Sequence, residues 1–222
     1  ASTTHSLIRL ETLRLANDKV SNAISKLAIC KYYNIMDEII HASTDGSKIE
    51  TMIDTFNARC SSKYFGVHKG VSAMTLLANH IPINAKLIGA HEHESHFIFD
   101  LLFNNTSEVR PDILSTDTHG SNAVNFAILY LFDYVFAPRY KDTGNKLDSI
   151  YGFKHKQAYA DMPIQPVRKI NTQLIIDEWE QIKKIMVSLA TKSTTQSIII
   201  SKLSAHERKN RTKSALCEFD NI

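Results

Sequence analysis

The sequence predicts a mixed α/β fold for this 222-residue chain, and three observations lead to that prediction. Short runs rich in β-branched residues alternate with longer stretches in which apolar residues recur every three or four positions. The predicted order is helix, three strands, helix, strand, helix and strand, followed by a helical C-terminal region. A composition of 43% hydrophobic and 22% charged residues is typical of a globular protein with a sizeable core.

The N-terminal segment, Leu7 to Met36, contains neither Pro nor Gly, and its apolar residues follow helical spacing. We expect one long helix or two consecutive helices here, forming a helical segment over residues 1–36. The pattern changes at Glu38–Ser43, a short β-branched strand that we expect to end in a turn at Thr44-Asp45-Gly46.

Two further strands are predicted at Val71–His80 and Ile83–Ala90, as a hairpin whose turn contains Ile81-Pro82. A helix over His91–Asn104 and a strand over Asp112–Thr116 follow. Beyond Asp117-Thr-His-Gly120 we expect a helix capped by Ser121, and then the strand Tyr134–Ala137. This helix spans Asn122–Phe132.

Three antiparallel strands followed by two parallel ones, with helices on either side, form the layout of an RNase H-like sheet. We assign this core to residues 37–142. Residues 143–222 are expected to be a helical part, with helices over Leu174–Ala190 and Ile198–Ala215.

Several protein classes are excluded by simple patterns. No apolar run approaches the roughly 20 residues that span a bilayer, and the N-terminus lacks the layout of a signal peptide, so we expect a cytoplasmic protein without a membrane partner. Three scattered cysteines without a CxxC pair indicate neither a disulfide framework nor a structural zinc site. There is also no serine-hydrolase elbow and no P-loop.

Asp45 and Asp117 each follow a predicted strand, and each precedes a short polar turn that contains Gly. If the two strands are neighbours, the carboxylates converge at one sheet edge. Phosphoryl transfer with two Mg²⁺ or Mn²⁺ ions needs such oxygen ligands. The alternative is that an Asp before Gly or Thr only stabilises a turn.

Longer motifs around these residues resemble the Tn-three family of replicative transposases. The segments His41–Lys48, Phe56–Arg59 and Lys63–Gly66 look like its first acidic motif and the stretch after it. Its second acidic motif and the following strand are matched by Leu114–Gly120, Asn125-Phe126 and Phe136–Tyr140. The similarity runs over nearly the whole chain, in order.

The resemblance implies a DNA transposase with three metal-binding acids, which nicks transposon ends and joins the 3′-hydroxyls to target DNA. Asp45 is then the first acid and Asp117 the second, with Mg²⁺ or Mn²⁺ as cofactor. The motif around the third acid, a Glu, does not occur, and neither Glu207 nor Glu218 fits it. We therefore expect an incomplete fragment that is inactive alone, from a bacterial, nucleoid-associated protein that is a homodimer at full length.

Double-stranded DNA is the expected partner. Between Lys183 and Lys213 there are eight Lys or Arg against one acid, which suits phosphate binding but also describes an ordinary solvated helix. For His119 a role in the turn is the favoured explanation, whereas for Arg139 a surface salt bridge fits as well as a contact with DNA. The expected DNA-binding residues are Lys48, His119, Arg139, Arg208, Lys209 and Arg211.

Two other functions remain open. A decayed transposase remnant could bind nucleic acid without catalysis. Alternatively, His91, His93 and His96 could hold zinc in a hydrolase, but they do not form the HExxH pattern, and a polar helix start is the favoured explanation for them.

Overall fold

A computed structural model describes residues 9–34, 38–53, 55–205 and 210–221 of the chain. The fold is mixed α/β, as the sequence predicts. The chain divides into two compact units. The first comprises Ala1–Glu92 and Leu101–Ser115, and the second comprises His93–Asp100 and Thr116–Ile222.

The first unit is built around a β-sheet. After helix α1 (Leu10–Ser25) and a 3-10 helix (Ala28–Tyr33) come five strands and a short helix. These are β1 (His41–Glu50), β2 (Arg59–Cys60), α2 (Ser62–Phe65), β3 (Lys69–Ala78), β4 (Ile81–Gly89) and β5 (Ile113–Thr116), the last residue of which falls in the second unit.

Strand β3 lies at the centre of this sheet and pairs antiparallel with both β1 and β4. Strand β5 lies beside β1, and β2 pairs with the first two residues of β3. Alternation along the strands points Met74, Leu76 and Leu114 into the core, where each is at most 1% exposed. The predicted hairpin and the strand before Asp117 are thereby confirmed.

The prediction for β1 is correct in place and wrong in extent. The strand does not end at Ser43 but continues to Glu50, and Thr44-Asp45-Gly46 is not a turn. A continuous ladder with β3 joins Ala42 to Ala78 and Glu50 to Gly70. Because this long antiparallel pairing satisfies the backbone on one edge, it overrides the local turn preference of Asp-Gly.

The hairpin turn also lies earlier than predicted. Asn79 and His80 occupy it with φ angles of 47° and 67°, whereas Ile81-Pro82 already belongs to β4. Positive φ at both central residues is what a two-residue hairpin turn with the twist of its strands requires. Asn is one of the residues that adopt this conformation at low cost.

The second unit is mainly helical. The first three residues of helix α3 (Ile98–Phe103) belong to it, and α4 (Ala123–Leu131) and the two-residue strand β6 (Val135–Phe136) follow β5 in the chain. The remaining elements are α5 (Thr143–Leu147), β7 (Tyr151–Gly152), β8 (Arg168–Lys169), α6 (Thr172–Asp177), α7 (Trp179–Ala190), α8 (Gln196–Ser204) and α9 (Arg211–Glu218).

Three boundaries differ from the sequence-based expectation. The helix predicted from His91 begins only at Ile98, after a 3-10 turn at Glu94–His96. Helix α4 is capped by Asn122, whose side chain accepts the N–H of Val124, and not by Ser121. Where two C-terminal helices were predicted, the described part of this region contains four, since Glu178 separates α6 from α7 and α8 ends at Ser204, before α9.

The core of the second unit is formed by α4, α7 and α9 together with Phe99. Ile128, Ile182 and Leu216 are fully buried, and the ring of Phe99 lies 4.6 Å from that of Phe132, centroid to centroid. Strands β7 and β8 form a small parallel pair that the sequence did not indicate. Within the described residues, no helix has the length and apolar character needed to cross a membrane.

Candidate active site

Asp45 lies in the middle of β1, opposite Thr75 of β3. Its side chain is exposed, as are those of Ser43 and Ser47, while Ala42 and Thr44 point into the core. The backbone N–H of Gly46 donates to the Asp45 carboxylate at 2.8 Å. A carboxylate has about four acceptor positions, so this bond leaves Asp45 suited to a further donor or a cation.

The start of β1 is fixed to β5 by side chains as well as backbone. His41 Nε2 and Ser115 Oγ are 2.6 Å apart, and the N–H of Ile40 donates to the Asp112 carboxylate at 2.8 Å. His41 lies four residues before Asp45 and therefore on the same side of β1. The side chain of Asp45 therefore projects from the same face of β1 as the His41 side chain, which contacts Ser115.

Asp117 follows β5 directly and begins a 3-10 turn at Thr118–Gly120. Its exposed carboxylate accepts the backbone N–H of Gly120 at 3.0 Å, so the side chain caps the turn. Asp117 can stabilise the turn and still offer an oxygen to a metal ion, because the hydrogen bond from Gly120 occupies one carboxylate oxygen and the residue is exposed to solvent.

Gly120 is required at this turn by close packing. A Cβ atom at this position would lie 2.5 Å from Cβ of Thr116, which is far inside a normal contact. Thr116 is itself buried at the end of β5. The turn that holds the Asp117 carboxylate therefore packs directly on the strand that precedes it.

The segment after β6 is bonded to the same turn. The N–H of Arg139 donates to the Thr116 carbonyl at 2.8 Å, and the Thr118 hydroxyl donates to the Arg139 carbonyl at 3.2 Å. The N–H of Lys141 donates to the Thr118 hydroxyl at 3.1 Å. Arg139 and His119 are both exposed residues of the second unit, and the backbone of Arg139 is bonded to the residues before and after Asp117.

Lys48, near the end of β1, lies over an aromatic ring. Its Nζ is 5.3 Å from the centroid of Tyr64, and Lys63 Nζ is 4.9 Å from the same centroid. Lys63 and Tyr64 belong to the short helix α2, which packs on β3 through Phe65: a Cβ at Gly70 of β3 would lie 2.2 Å from the Phe65 ring. Tyr64 is 47% exposed, with both ammonium groups near its ring.

The model of one protein family, the Tn3 transposase DDE domain, matches residues 1–222. The chain belongs to this family. The resemblance of its acidic motifs to the Tn-three transposases is thereby confirmed, and it covers both Asp45 and Asp117.

Curated relatives of this Tn3-family chain are transposases of named transposons. The transposase for transposon gamma-delta of Escherichia coli is 25% identical over 97% of the chain, and that for Tn21 of Escherichia coli is 23% identical over 96%. The transposase for Tn4556 of Streptomyces fradiae is 22% identical over 97%. The matches cover 21%, 22% and 24% of those proteins, so the chain spans about a fifth to a quarter of their length. No solved structure matches the chain.

The C-terminal basic residues of the Tn3-family domain are only partly described. Arg208 and Lys209 lie outside the described residues, as does Glu207. Arg211 is described, and its guanidinium lies 3.2 Å from both the Asp177 and the Glu178 carboxylates. The guanidinium of Arg211 is therefore held by two carboxylates of the same unit.

The Glu218 carboxylate is bound by residues of its own unit. Its carboxylate, which is 10% exposed, accepts from Arg168 at 3.3 Å and from the N–H of Asn171 at 3.0 Å. The guanidinium of Arg168 lies 4.1 Å from the Tyr151 ring centroid. A hydrogen bond to Tyr151 and the charge of Glu218 raise the pKa of Arg168. Glu218 thus joins α9 to β8.

Within the described residues, the histidines at positions 91, 93 and 96 do not form a group that could hold zinc. His93 and His96 have ring centroids 5.6 Å apart, and His93 Nδ1 is 2.7 Å from the Ser95 hydroxyl. Among the residues that the structure describes, no three His, Cys, Asp or Glu side chains are grouped to hold a metal ion. The geometry therefore adds nothing to the zinc alternative.

Two buried amides were missed by the sequence reasoning as parts of the site. Asn125 and Gln196 are 0% exposed and bonded to each other, and Asn125 also contacts the carbonyl of Gly120. The available signals were the match of Asn125-Phe126 to the family's second acidic motif and the place of this Asn among the apolar residues Val124, Ala127 and Ile128 of α4. A polar residue on the apolar face of a helix needs bonded partners to be tolerated there.

Proposed function

We propose that this chain is the catalytic region of a replicative DNA transposase, which cleaves transposon ends and transfers the new 3′-hydroxyls to target DNA. The observation that carries the proposal is the family match across the whole chain, combined with the exposure of Asp45 and Asp117 at the family's acidic motifs. The strand order β4–β3–β1–β5 with α4 after β5 supports an RNase H-like arrangement.

In this proposal, Asp45 and Asp117 are ligands of Mg²⁺ or Mn²⁺. The donor set fits these ions, since each residue offers carboxylate oxygens, which hard cations prefer. When bound, the ions supply activation of the attacking oxygen and stabilisation of the leaving one. Gly46 and Gly120 donate a backbone N–H to one oxygen of each aspartate, which fixes its orientation.

The third acid of the family is proposed to lie outside these 222 residues. Glu218 supports this placement, since its carboxylate is engaged by Arg168 and Asn171. The 222-residue chain alone is then inactive, whereas a longer chain of the same gene that contains the third acid cleaves DNA.

Duplex DNA is the proposed substrate, and a full-length homodimer is the proposed assembly. Arg139 is exposed and its backbone is bonded to the residues before and after Asp117, so its guanidinium is a proposed phosphate contact that does not read the sequence, and the exposed ring of His119 is proposed as a second contact. Lys48 adds a cation beside the exposed ring of Tyr64. Arg208, Lys209 and Arg211 remain proposed phosphate contacts, with Arg211 the weakest because Asp177 and Glu178 bind it.

The test is Mn²⁺-dependent nicking of a transposon-end duplex by the longer chain. Asp45→Asn and Asp117→Asn should each lower the cleavage rate by on the order of 10³-fold, because charge stabilisation at the reacting phosphate is lost. The exposed acids Glu50 on β1 and Asp148 after α5 provide matched controls, as Glu50→Gln and Asp148→Asn.

Near-normal cleavage by either active-site variant would overturn the proposed roles. Binding of the duplex without cleavage by the unaltered longer chain would favour the second candidate, a nucleic-acid-binding remnant. Salt dependence of that binding reports the number of phosphate contacts, since each contact releases counterions.

A further inference from the structure

We infer that Asn125 and Gln196 are positioning residues, which hold the turn that presents the Asp117 carboxylate. The inference rests on the proposed function only for the role of Asp117 as a ligand. All the contacts that carry it lie in the second unit.

Asn125 lies in the first turn of α4 and bonds with both ends of its amide. Its Nδ2 donates to the Ser95 carbonyl at 2.9 Å and to the Gly120 carbonyl at 3.4 Å. Its Oδ1 accepts from Gln196 Nε2 at 2.5 Å. Asn125 thus connects the Asp117 turn, the 3-10 turn before α3 and the start of α8.

Gln196 fixes the orientation of Asn125. Its Nε2 also donates to the Ser95 carbonyl at 3.2 Å, and its Oε1 accepts the N–H of Phe99 at 2.8 Å. Its own backbone N–H donates to the Asp100 carboxylate at 3.0 Å. Both hydrogen-bonding ends of the side chain are occupied, so the amide of Gln196 has one orientation and leaves Asn125 only one as well.

Gly120 transmits this restraint to Asp117. Its carbonyl accepts from Asn125, while its N–H donates to the Asp117 carboxylate at 3.0 Å. A displacement of Gly120 therefore displaces the donor that orients the carboxylate. Since Gly120 also packs on Thr116 without room for a Cβ, the turn is held from the strand side and from the α4 side.

Burial of an amide without hydrogen-bond partners would destabilise the folded protein. We therefore infer that the bonded pair Asn125 and Gln196 contributes by fixing one conformation of the turns that it joins. An apolar pair of the same size would fill the space equally well. It would leave the carbonyls of Gly120 and Ser95 without these donors. The two amides thus act through Gly120, and neither is proposed to touch DNA or metal.

The experiment is amide hydrogen exchange on the intact 222-residue chain, with Asn125→Asp as the main variant. Asp keeps the size of the side chain and the acceptor for Gln196, but it removes the donor to the Gly120 and Ser95 carbonyls. We expect exchange of the Gly120 N–H to rise about tenfold, since a local bond that protects the turn is lost. Ile182→Val, a change at a buried residue of α7, is the control and should alter this exchange by less than about twofold.

Gln196→Met is the second variant, because it removes the amide while leaving Asn125 and Gly120 unchanged. It should raise the same exchange rate about threefold and decides the question if Asn125→Asp does not fold. Exchange at Gly120 that is no faster than in the control would overturn the inference.

Mn²⁺ affinity, measured by electron paramagnetic resonance, adds a readout that a purely structural role would not move selectively. Asn125→Asp should weaken binding about tenfold, as loss of an orienting contact does at metal sites, and Ile182→Val should not. Asp117→Asn separates the two hypotheses. If it leaves Mn²⁺ affinity unchanged, the metal role of Asp117 fails, whereas the exchange data still decide the positioning role.

Discussion

Both candidate acids follow a buried threonine, in the pairs Thr44-Asp45 and Thr116-Asp117, but the two regions hold their carboxylates by different means. Asp45 lies within a ten-residue strand whose backbone pairs continuously with β3. Asp117 lies outside its strand, on a turn held by the side chains of Thr118 and Asn125 and by the close packing of Gly120.

The difference has a physical consequence for the tolerance of each region to substitution. A backbone ladder depends little on which side chains occupy its exposed face, since every residue contributes the same N–H and C=O groups. A turn held by individual side chains depends on each of them. Single substitutions should therefore displace Asp117 more readily than Asp45.

The largest expected effect is at Gly120. Gly120→Ala places a Cβ 2.5 Å from Thr116 Cβ, and we expect it to lower the free energy of unfolding by about 2 kcal/mol, as overpacking does. Urea denaturation followed by circular dichroism measures the change. The same substitution in the longer chain should also lower the cleavage rate, because the turn must shift.

Gly144→Ala is the matched control. A Cβ there would meet only the Asp142 carboxylate, at an ordinary distance of 3.6 Å, within helix α5. Ala is more favourable than Gly in a helix by about 0.5–1 kcal/mol, so this variant should be as stable as the parent or slightly more. Equal losses at both glycines would contradict the close-packing argument.

The same contrast explains what could be predicted from the sequence. Alternation in β3 and β4 and the apolar spacing of α4 depend on local patterns, so the existence and order of these elements were predicted correctly, although the hairpin turn lies about two residues earlier than predicted. The extent of β1 was not, because Asp45-Gly46 carries a local turn preference that only pairing with β3 overrides. That pairing joins residues about 30 positions apart.

The hydrogen bonds that hold the Asp117 turn could not be predicted from local sequence patterns for a similar reason. Asn125 and Gln196 are 71 residues apart, and Arg168 and Glu218 are 50 residues apart. Each pair is formed by side chains that the fold brings together. In the sequence, Asn125 stood out only through the match of Asn125-Phe126 to the family's second acidic motif, and Gln196 did not stand out at all.

Replacement of each threonine by valine sharpens the comparison further. The Thr116 hydroxyl donates to the Asp117 carbonyl at 2.9 Å, whereas within the described part of the chain the buried Thr44 hydroxyl has no hydrogen-bond partner. We expect Thr116→Val to destabilise the protein by about 1 kcal/mol and Thr44→Val to stabilise it by up to about 1 kcal/mol. Urea midpoints of both variants give the two signs, and equal signs would contradict the assigned difference.

The smallest expected effect concerns pH and the segment that follows the Asp117 turn. Lys146 is partly buried, which opposes its charge, but Asp220 at 3.2 Å and the nearby Tyr140 outweigh burial and raise the pKa of Lys146. A raised lysine pKa in the folded state stabilises the protein fully below the ordinary value of about 10.4, and this stabilisation is lost as pH rises through the folded value. Because the Lys146 side chain is 42% exposed, solvent screening limits the contribution to a few tenths of a kcal/mol. Lys146→Met should therefore lower the urea midpoint slightly at pH 8 and by less at pH 11.

The same variant also tests the connection to the Asp117 turn. The carbonyl of Arg139, next to Tyr140, is bonded to Thr118, so hydrogen exchange at Gly120 should rise in this variant while exchange in β1 does not. A difference in urea midpoint between parent and variant that stays constant from pH 8 to pH 11 would show that the lysine charge contributes nothing, and equal changes in β1 and at Gly120 would remove the distinction between the two regions.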